Sequence, residues 1–212
     1  AAANPDVGLI GCEPFLNGVV GALGHIQSGE LTNVRLHMGD ALEVLERLPD
    51  ASLDRAFLLH PDPWPKMRHA KRRFVNPGPL DMLAAKLKPG AELRIGTDHD
   101  IYCRWTLMQM AKRHDFAWQV TGPADWNTRP ADWPQTRYEA KARRLGHEVW
   151  YFRYLRLCLT AQGIAASSKN GVRQPQRNWI ISITPPPTMA PIDSAAERQA
   201  PARNCSSGGR QR

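Results

Sequence analysis

The sequence lacks the features that mark secreted, membrane-spanning and zinc-binding proteins. Its four cysteines are scattered, without a CxxC pair or a Cys/His ligand spacing: Cys12, Cys103, Cys158 and Cys205. This arrangement indicates neither a zinc site nor a disulfide framework. No run approaches the roughly 18 to 20 uncharged apolar residues of a membrane-spanning helix, and the start, AAANPDVGLI, lacks the basic and apolar segments of a signal peptide. We therefore expect a cytoplasmic protein with reduced thiols and no bound metal.

Acidic residues are outnumbered by basic ones, which gives a formal net charge of +8 and favours a polyanionic partner. Residues 159–212 hold seven of the 28 Lys and Arg residues but only two of the 20 Asp and Glu residues, so residues 1–158 are nearly neutral. The local signal is one basic run, in which five cations lie within eight residues around His69: Lys66, Arg68, Lys71, Arg72 and Arg73. Such a run either binds phosphates or forms a solvated helix face.

Short apolar runs alternate with segments of helical periodicity through most of the chain. The predicted strands are residues 7–11, 33–38, 53–59, 93–97, 116–120 and 147–157, and the predicted helices are residues 15–26, 41–48, 80–87 and 98–113. This alternation indicates βαβ units and a largely parallel sheet covered by helices on both faces. The predicted fold class is therefore α/β, in a single domain over residues 1–158, because an apolar content of 42% suffices for one core.

Residues 159–212 differ in character from the rest of the chain. They contain few apolar residues, and these recur with no sustained helical or strand period. The segment also includes the proline run TPPP at 184–187. We expect a disordered tail there, in which only Trp179 to Ile183 can pair locally.

Four acidic residues follow the ends of predicted strands: Glu13, Asp40, Asp62 and Asp98. In open α/β sheets the ligand crevice lies beyond the carboxyl ends of the strands, so we expect these carboxylates near one another. If one more strand precedes the predicted strand at residues 7–11, Glu13 follows the second strand of a nucleotide-binding βαβ unit. A carboxylate at that place binds ribose hydroxyls. Each acid taken alone is equally well explained as a helix cap or a turn residue.

The segment PDPWPKMRHAKRR at residues 61–73 gives the sharpest signal, because its prolines stiffen a loop that carries Asp62 and Trp64 beside the basic run. Two further segments accompany it, LKPGAELRIGTDHDIYCRW at 87–105 and TRYEAKARRLGH at 136–147. In these three segments the sequence resembles the bacterial tRNA (guanine-N7)-methyltransferase family. The resemblance extends over residues 5–157 and includes the acids Glu13 and Asp40.

The resemblance implies a Rossmann-like class I methyltransferase that uses S-adenosyl-L-methionine (SAM) to methylate N7 of a guanosine in the variable loop of tRNA. It makes Glu13 and Asp40 contacts to the ribose and adenine of SAM, and makes Asp62 the catalytic carboxylate, which also contacts the cofactor. It assigns six residues to tRNA binding: Lys66, Asp98, Thr136, Arg137, Tyr138 and Glu139. The first strand of the family and its glycine-rich SAM loop would precede Ala1, and no GxGxG pattern occurs in the 212 residues.

The chemistry of guanine N7 fits these assignments. Because N7 already carries a lone pair, no proton has to be removed, and an ionised Asp62 would stabilise the positive charge that develops on the ring. Arg137 and Glu139 would contact a phosphate and a base edge, and Trp64 or Tyr138 would stack on an extruded base unless they belong to the core.

Other interpretations of the whole chain stay open. One is an RNA-binding module without catalysis that has lost SAM binding, and another is a methyltransferase with a substrate other than RNA, which leaves the basic run unexplained. The oligomeric state, monomer or homodimer, is open as well.

Overall fold

The computed structural model describes residues 1–133, 135–158 and 178–183, and a single seven-stranded sheet runs through them. Its strands are β1 (Val7–Cys12), β2 (Val34–His37), β3 (Leu53–Leu59), β4 (Leu87–Thr97), β5 (Phe116–Trp118), β6 (Trp150–Arg156) and β7 (Asn178–Ile183). The spatial order is β2-β1-β7-β3-β4-β6-β5. All neighbours from β2 to β4 are parallel, whereas β6 runs antiparallel to both β4 and β5. The predicted α/β class with a mostly parallel sheet is confirmed.

Within the described ranges, six α-helices connect the strands: α1 (Leu16–Ser28), α2 (Ala41–Leu45), α3 (Pro77–Lys86), α4 (Asp100–Met110), α5 (Ala124–Asn127) and α6 (Arg137–Arg144). The basic run forms a 3-10 helix at Met67–Arg72. Proline at the first position of α3 suits a helix start, since its missing N–H would have no partner there. In the part of the chain that the structure describes, no helix has the length and apolar character to cross a membrane.

Strand β7 lies in the middle of the sheet, parallel to β1 on one side and β3 on the other. Ile181 is opposite Ile10 of β1 and Ala56 of β3, and it is fully buried. The backbone N–H of Trp179 donates to Asp54 (3.0 Å). The predicted local pairing of Trp179 to Ile183 is therefore replaced by pairing with strands more than a hundred residues earlier in the sequence. The expected disorder of 159–177 and 184–212 lies outside the described residues.

The position of β7 is the one that a doubly wound sheet reserves for its first strand. In the order 3-2-1-4-5, strands two and three lie on one side of strand one, and strands four and five lie on the other. Here β1 and β2 match the second and third strands, β3 and β4 match the fourth and fifth, and β7 occupies the place between them. A segment from the C-terminal part of the chain thus occupies the place that the first strand has in this order.

Parallel strands bring their carboxyl ends to one edge of the sheet, and this edge carries the candidate site. Glu13 follows β1, His60 and Asp62 follow β3, and Asp98 follows β4. The core beneath this edge is formed by buried side chains such as Leu58, Ile95, Tyr102, Phe152 and Ile181.

Candidate active site

The loop after β3, Pro61–Pro65, is held in place by Arg73. The Arg73 guanidinium donates from Nε to the carbonyl oxygen of Pro63 (2.9 Å) and from Nη2 to that of Trp64 (2.8 Å). It also lies over the ring of Trp105, 4.5 Å from the ring centre, and is only 2% exposed. Arg73 therefore fits neither alternative given for the basic run, phosphate binding or a solvated helix face, because it is buried and donates to carbonyl oxygens of this loop.

The other four cations of the basic run are exposed: Lys66, Arg68, Lys71 and Arg72. The guanidinium of Arg72 lies over the indole of Trp64, 4.7 Å from the ring centre, and His69 meets the same indole edge-on. A solvent-facing group of positive charges thus borders the loop that carries Asp62.

Asp62 and Asp98 line the same cavity, which has a volume of about 500 Å³. Its other walls include Tyr138, His147 and Trp150. Burial alone would raise the pKa of Asp98, but hydrogen bonds, first among them the one from His60, outweigh this effect, so the pKa of that carboxyl is lowered. Asp98 is therefore ionised at neutral pH, and the cavity presents negative charge to a ligand that carries N–H donors.

Glu13 lines a second cavity of about 430 Å³, together with the start of α6. One carboxylate oxygen of Glu13 accepts from the N–H of Phe15 (2.9 Å). Burial raises the pKa of Glu13, and this hydrogen bond partly offsets the rise. A Cβ on Gly18 would lie 2.8 Å from the other carboxylate oxygen, so a larger residue there would displace this carboxylate from its place beside the first turn of α1. This acceptor suits a ribose, because a carboxylate accepts hydrogen bonds from hydroxyl groups.

Asp40 lines a third cavity, of about 340 Å³, whose walls include Trp64, Arg72 and Ile183. Its carboxylate accepts from the N–H of Leu42 (3.0 Å) and so caps α2. The three residues predicted to contact SAM, Glu13, Asp40 and Asp62, thus line three separate cavities along the carboxyl edge of the sheet.

The residues of the TRYE segment, 136–139, are placed differently from one another. Thr136 caps α6 by accepting the N–H of Glu139 (3.0 Å), while Arg137 and Tyr138 are exposed beside the cavities of Asp62 and Glu13. The Glu139 carboxylate is only 1% exposed and pairs with Arg143 (3.0 Å) and Arg129 (3.3 Å). Its side chain therefore stabilises α6 from within, and it lines none of the three cavities. Lys66, exposed at the start of the basic run, lines none of them either.

Two contributors to the site had no signal in the sequence. His60 precedes the PDPWP segment and bridges Asp98 and Thr136, and Arg73 appears in sequence as one more member of a basic run. The only available hint for Arg73 is its position directly before the apolar pair Phe74 and Val75. A mostly parallel sheet with acidic residues at its carboxyl edge defines the class: a Rossmann-like α/β fold with a candidate ligand site at that edge.

Comparison with known proteins narrows the class to one family. Residues 1–152 match the model of a family described as putative methyltransferase. The tRNA (guanine-N(7)-)-methyltransferase of Zymomonas mobilis is 63% identical over 157 residues, which cover 74% of this chain and 68% of that protein. The protein of the same name from Sphingopyxis alaskensis is 61% identical, with 72% and 67% covered, and that from Erythrobacter litoralis is 58% identical, with 72% and 66% covered. The chain thus spans about two thirds of the length of these relatives.

Among solved structures, a putative methyltransferase from Streptococcus mutans in complex with SAH aligns with a TM-score of 0.46 at 10% identity, over 71% of this chain and 76% of that chain. The sequence relatives decide the family. This chain belongs to the tRNA (guanine-N(7)-)-methyltransferases.

Proposed function

We propose that this protein transfers a methyl group from SAM to N7 of a guanosine in the variable loop of tRNA, in the cytoplasm. The observation that carries the proposal is the cavity that Asp62 and Asp98 share, formed in part by a loop that the exposed cations of the basic run adjoin, in a chain of this family. The cavity has room for a nucleobase, and its carboxylates match the donors on the Watson–Crick edge of guanine.

The residues of the site serve alignment rather than proton transfer. When bound, SAM supplies an activated methyl group on a positively charged sulfur. Guanine N7 attacks with its own lone pair, so the protein has to hold N7 in line with the methyl group, and such positioning is worth on the order of 7 to 11 kcal/mol in favourable cases. Asp62 accepts from N1–H and the N2 amino group of guanine, and its charge stabilises the positive charge that the ring gains.

The RNA backbone is held by the exposed cations. Lys66, Arg68, Lys71 and Arg72 follow the loop that carries Asp62, and the last two of them line the Asp40 cavity. Arg137 lies at the start of α6 and lines the Glu13 cavity. Phosphate contacts fix the register of the RNA and release counterions, so they make binding weaker as the salt concentration rises.

Replacing Lys66 by alanine is expected to weaken tRNA binding and to reduce the slope of log K against log salt by roughly 0.7 to 0.9, the value of one phosphate contact. Fluorescence anisotropy with labelled tRNA between low and moderate salt measures this slope. Lys112→Ala serves as the matched control, because Lys112 is an exposed lysine that lines none of the three cavities. An unchanged slope for Lys66→Ala would mean that this side chain does not meet a phosphate.

The function itself is tested by incubating the protein with tRNA and SAM labelled in the methyl group, followed by digestion and identification of the labelled nucleoside. We expect N7-methylguanosine from a position in the variable loop. A labelled product of another kind, or no labelled RNA, would overturn the proposal.

A second candidate function is RNA binding without catalysis. It is favoured by one observation, that Glu13, Asp40 and Asp62 line separate cavities rather than one continuous groove. Isothermal titration with SAM distinguishes the candidates. Saturable binding at one site supports the enzyme, whereas tRNA binding without any SAM binding supports the module.

A further inference from the structure

A continuous chain of hydrogen bonds links the ends of two strands to the start of α6. The imidazole of His60, which is 4% exposed, contacts Asp98 Oδ1 through Nδ1 (3.1 Å) and Thr136 Oγ1 through Nε2 (3.0 Å). Thr136 Oγ1 in turn accepts the N–H of Glu139 (3.0 Å). His60 therefore joins residues that are 38 and 76 positions away from it in sequence.

The three linked hydrogen bonds can all form at once with the following donors and acceptors. Because Asp98 is ionised, it accepts a hydrogen bond, and His60 must donate it from Nδ1–H. In the neutral imidazole Nε2 is then an acceptor, so it receives the hydroxyl hydrogen of Thr136. The oxygen of that hydroxyl accepts the N–H of Glu139, so the Thr136 hydroxyl donates one hydrogen bond and accepts another.

The backbone at His60 requires such support. Its φ is +48°, in the left-handed region that residues other than glycine seldom adopt. The backbone N–H donates to the carbonyl oxygen of Gly96 (2.7 Å), and the ring of Tyr138 stacks on the imidazole, with centres 5.7 Å apart. These two contacts and the two side-chain hydrogen bonds thus hold His60, directly before the PDPWP loop, in a backbone conformation that costs free energy.

His60 and Tyr138 also line both the cavity of Asp62 and the cavity of Glu13. The stacked pair is therefore part of the wall between the proposed guanine site and the proposed ribose site. If the start of α6 shifts, Tyr138 moves with it, and the relative position of the two ligands changes.

We propose that His60 is a positioning residue that holds Asp98 and the first turn of α6 in the geometry that aligns the target guanosine with SAM. The proposal rests on the function proposed above. It assigns His60 no contact with the reacting atoms and no proton transfer. Since the four exposed cations of the basic run lie outside this network of hydrogen bonds, and only Arg137 lies in the turn that His60 holds, loss of His60 should affect turnover more than tRNA affinity.

His60→Phe, which keeps a flat ring but removes both hydrogen bonds, is expected to lower kcat at saturating tRNA and SAM by about 100-fold, as a misplacement near 1 Å does. The dissociation constant for tRNA should stay within about threefold, since phosphate contacts dominate affinity. His60→Asn and His60→Gln each retain one of the two hydrogen bonds and should fall between Phe and the wild type. His114→Asn is the control, because His114 lines neither of the two cavities.

A double-mutant cycle with Thr136→Val tests whether His60 acts through Thr136. The change from threonine to valine also removes the cap of α6, but this loss is the same in both His60 backgrounds and cancels in the coupling. We expect Thr136→Val to lower kcat clearly less in the His60→Phe background than in the wild type, and Thr136→Ser to retain activity. Losses that multiply independently, or a His60→Phe enzyme with kcat within threefold of the wild type, would overturn the proposal.

A readout that needs no activity separates this proposal from the proposed function. In NMR spectra of the ¹⁵N-histidine-labelled full chain, His60 should show a protonated Nδ1 and an unprotonated Nε2, and Thr136→Val should shift the Nε2 signal. A wild-type protein that methylates no tRNA but shows this signature would refute the proposed function alone. Absence of the signature would refute the hydrogen-bond chain, whatever the activity.

Discussion

Asp62→Asn is expected to reduce kcat for N7-methylguanosine formation by about 10²- to 10³-fold, the cost of removing one preorganised electrostatic contact to a transition state. Asparagine has nearly the same shape, so the loop that Arg73 holds through the carbonyls of Pro63 and Trp64 should persist. What is lost is the negative charge that faces the guanine ring while the ring becomes positive. Single-turnover methylation at saturating tRNA and SAM measures this effect without interference from product release.

The matched control for Asp62→Asn is Asp100→Asn, because Asp100 is an exposed acid that lines the same cavity. It should remain within about threefold of the wild type, since exposed charges are screened by solvent. SAM and tRNA affinities of both variants are measured separately, because Asp62 is also predicted to contact the cofactor. Equal losses for the two variants would show that general negative charge in the cavity, rather than Asp62, supports catalysis.

Ile181→Ala is expected to lower the free energy of unfolding by about 2 to 5 kcal/mol, the range for truncating a fully buried aliphatic side chain. Ile181 has no exposed surface, and in the sheet it lies between Ile10 of β1 and Ala56 of β3. Truncation leaves a cavity where strands from both ends of the chain meet. Urea denaturation followed by circular dichroism gives the change in midpoint and slope.

Ile180→Ala is the control for this experiment, because successive residues of a strand point to opposite faces and Ile180 is only half-buried. Its loss should be clearly smaller than that of Ile181→Ala. Two small and equal losses would contradict a central position of β7 in the folded protein.

Much of the fold could be predicted because its signals are local. The alternation of apolar runs and helical periods predicted β1, β2, β3 and β5 close to their observed bounds, and the PDPWP segment predicted a stiff loop after β3. Strand β4 begins at Leu87, six residues before the predicted start, because a proline and a glycine such as Pro89 and Gly90 are typical of the end of a helix rather than of a strand. In the structure Leu87 already pairs with Leu53, so the strand continues through the proline and glycine.

Tertiary relationships account for what the sequence could not predict. The run WIISI at 179–183 has strand character, but nothing within it specifies that its partners are β1 and β3. Arg73 and Glu139 resemble surface charges, yet both are buried, because one binds loop carbonyls and the other pairs with two arginines. The family of the chain was predicted correctly from motifs, whereas the roles of individual site residues stay predictions that the variants above test.

The central claim is that guanine N7 of tRNA is the methyl acceptor, and substitution of that one atom tests it most directly. A tRNA transcript made with 7-deazaguanosine has carbon in place of N7 and retains the donors on the Watson–Crick edge. With SAM labelled in the methyl group, the ordinary transcript should gain one methyl group, recovered as N7-methylguanosine, and the 7-deaza transcript should gain none while competing for binding. Equal methyl incorporation into both transcripts would contradict the account.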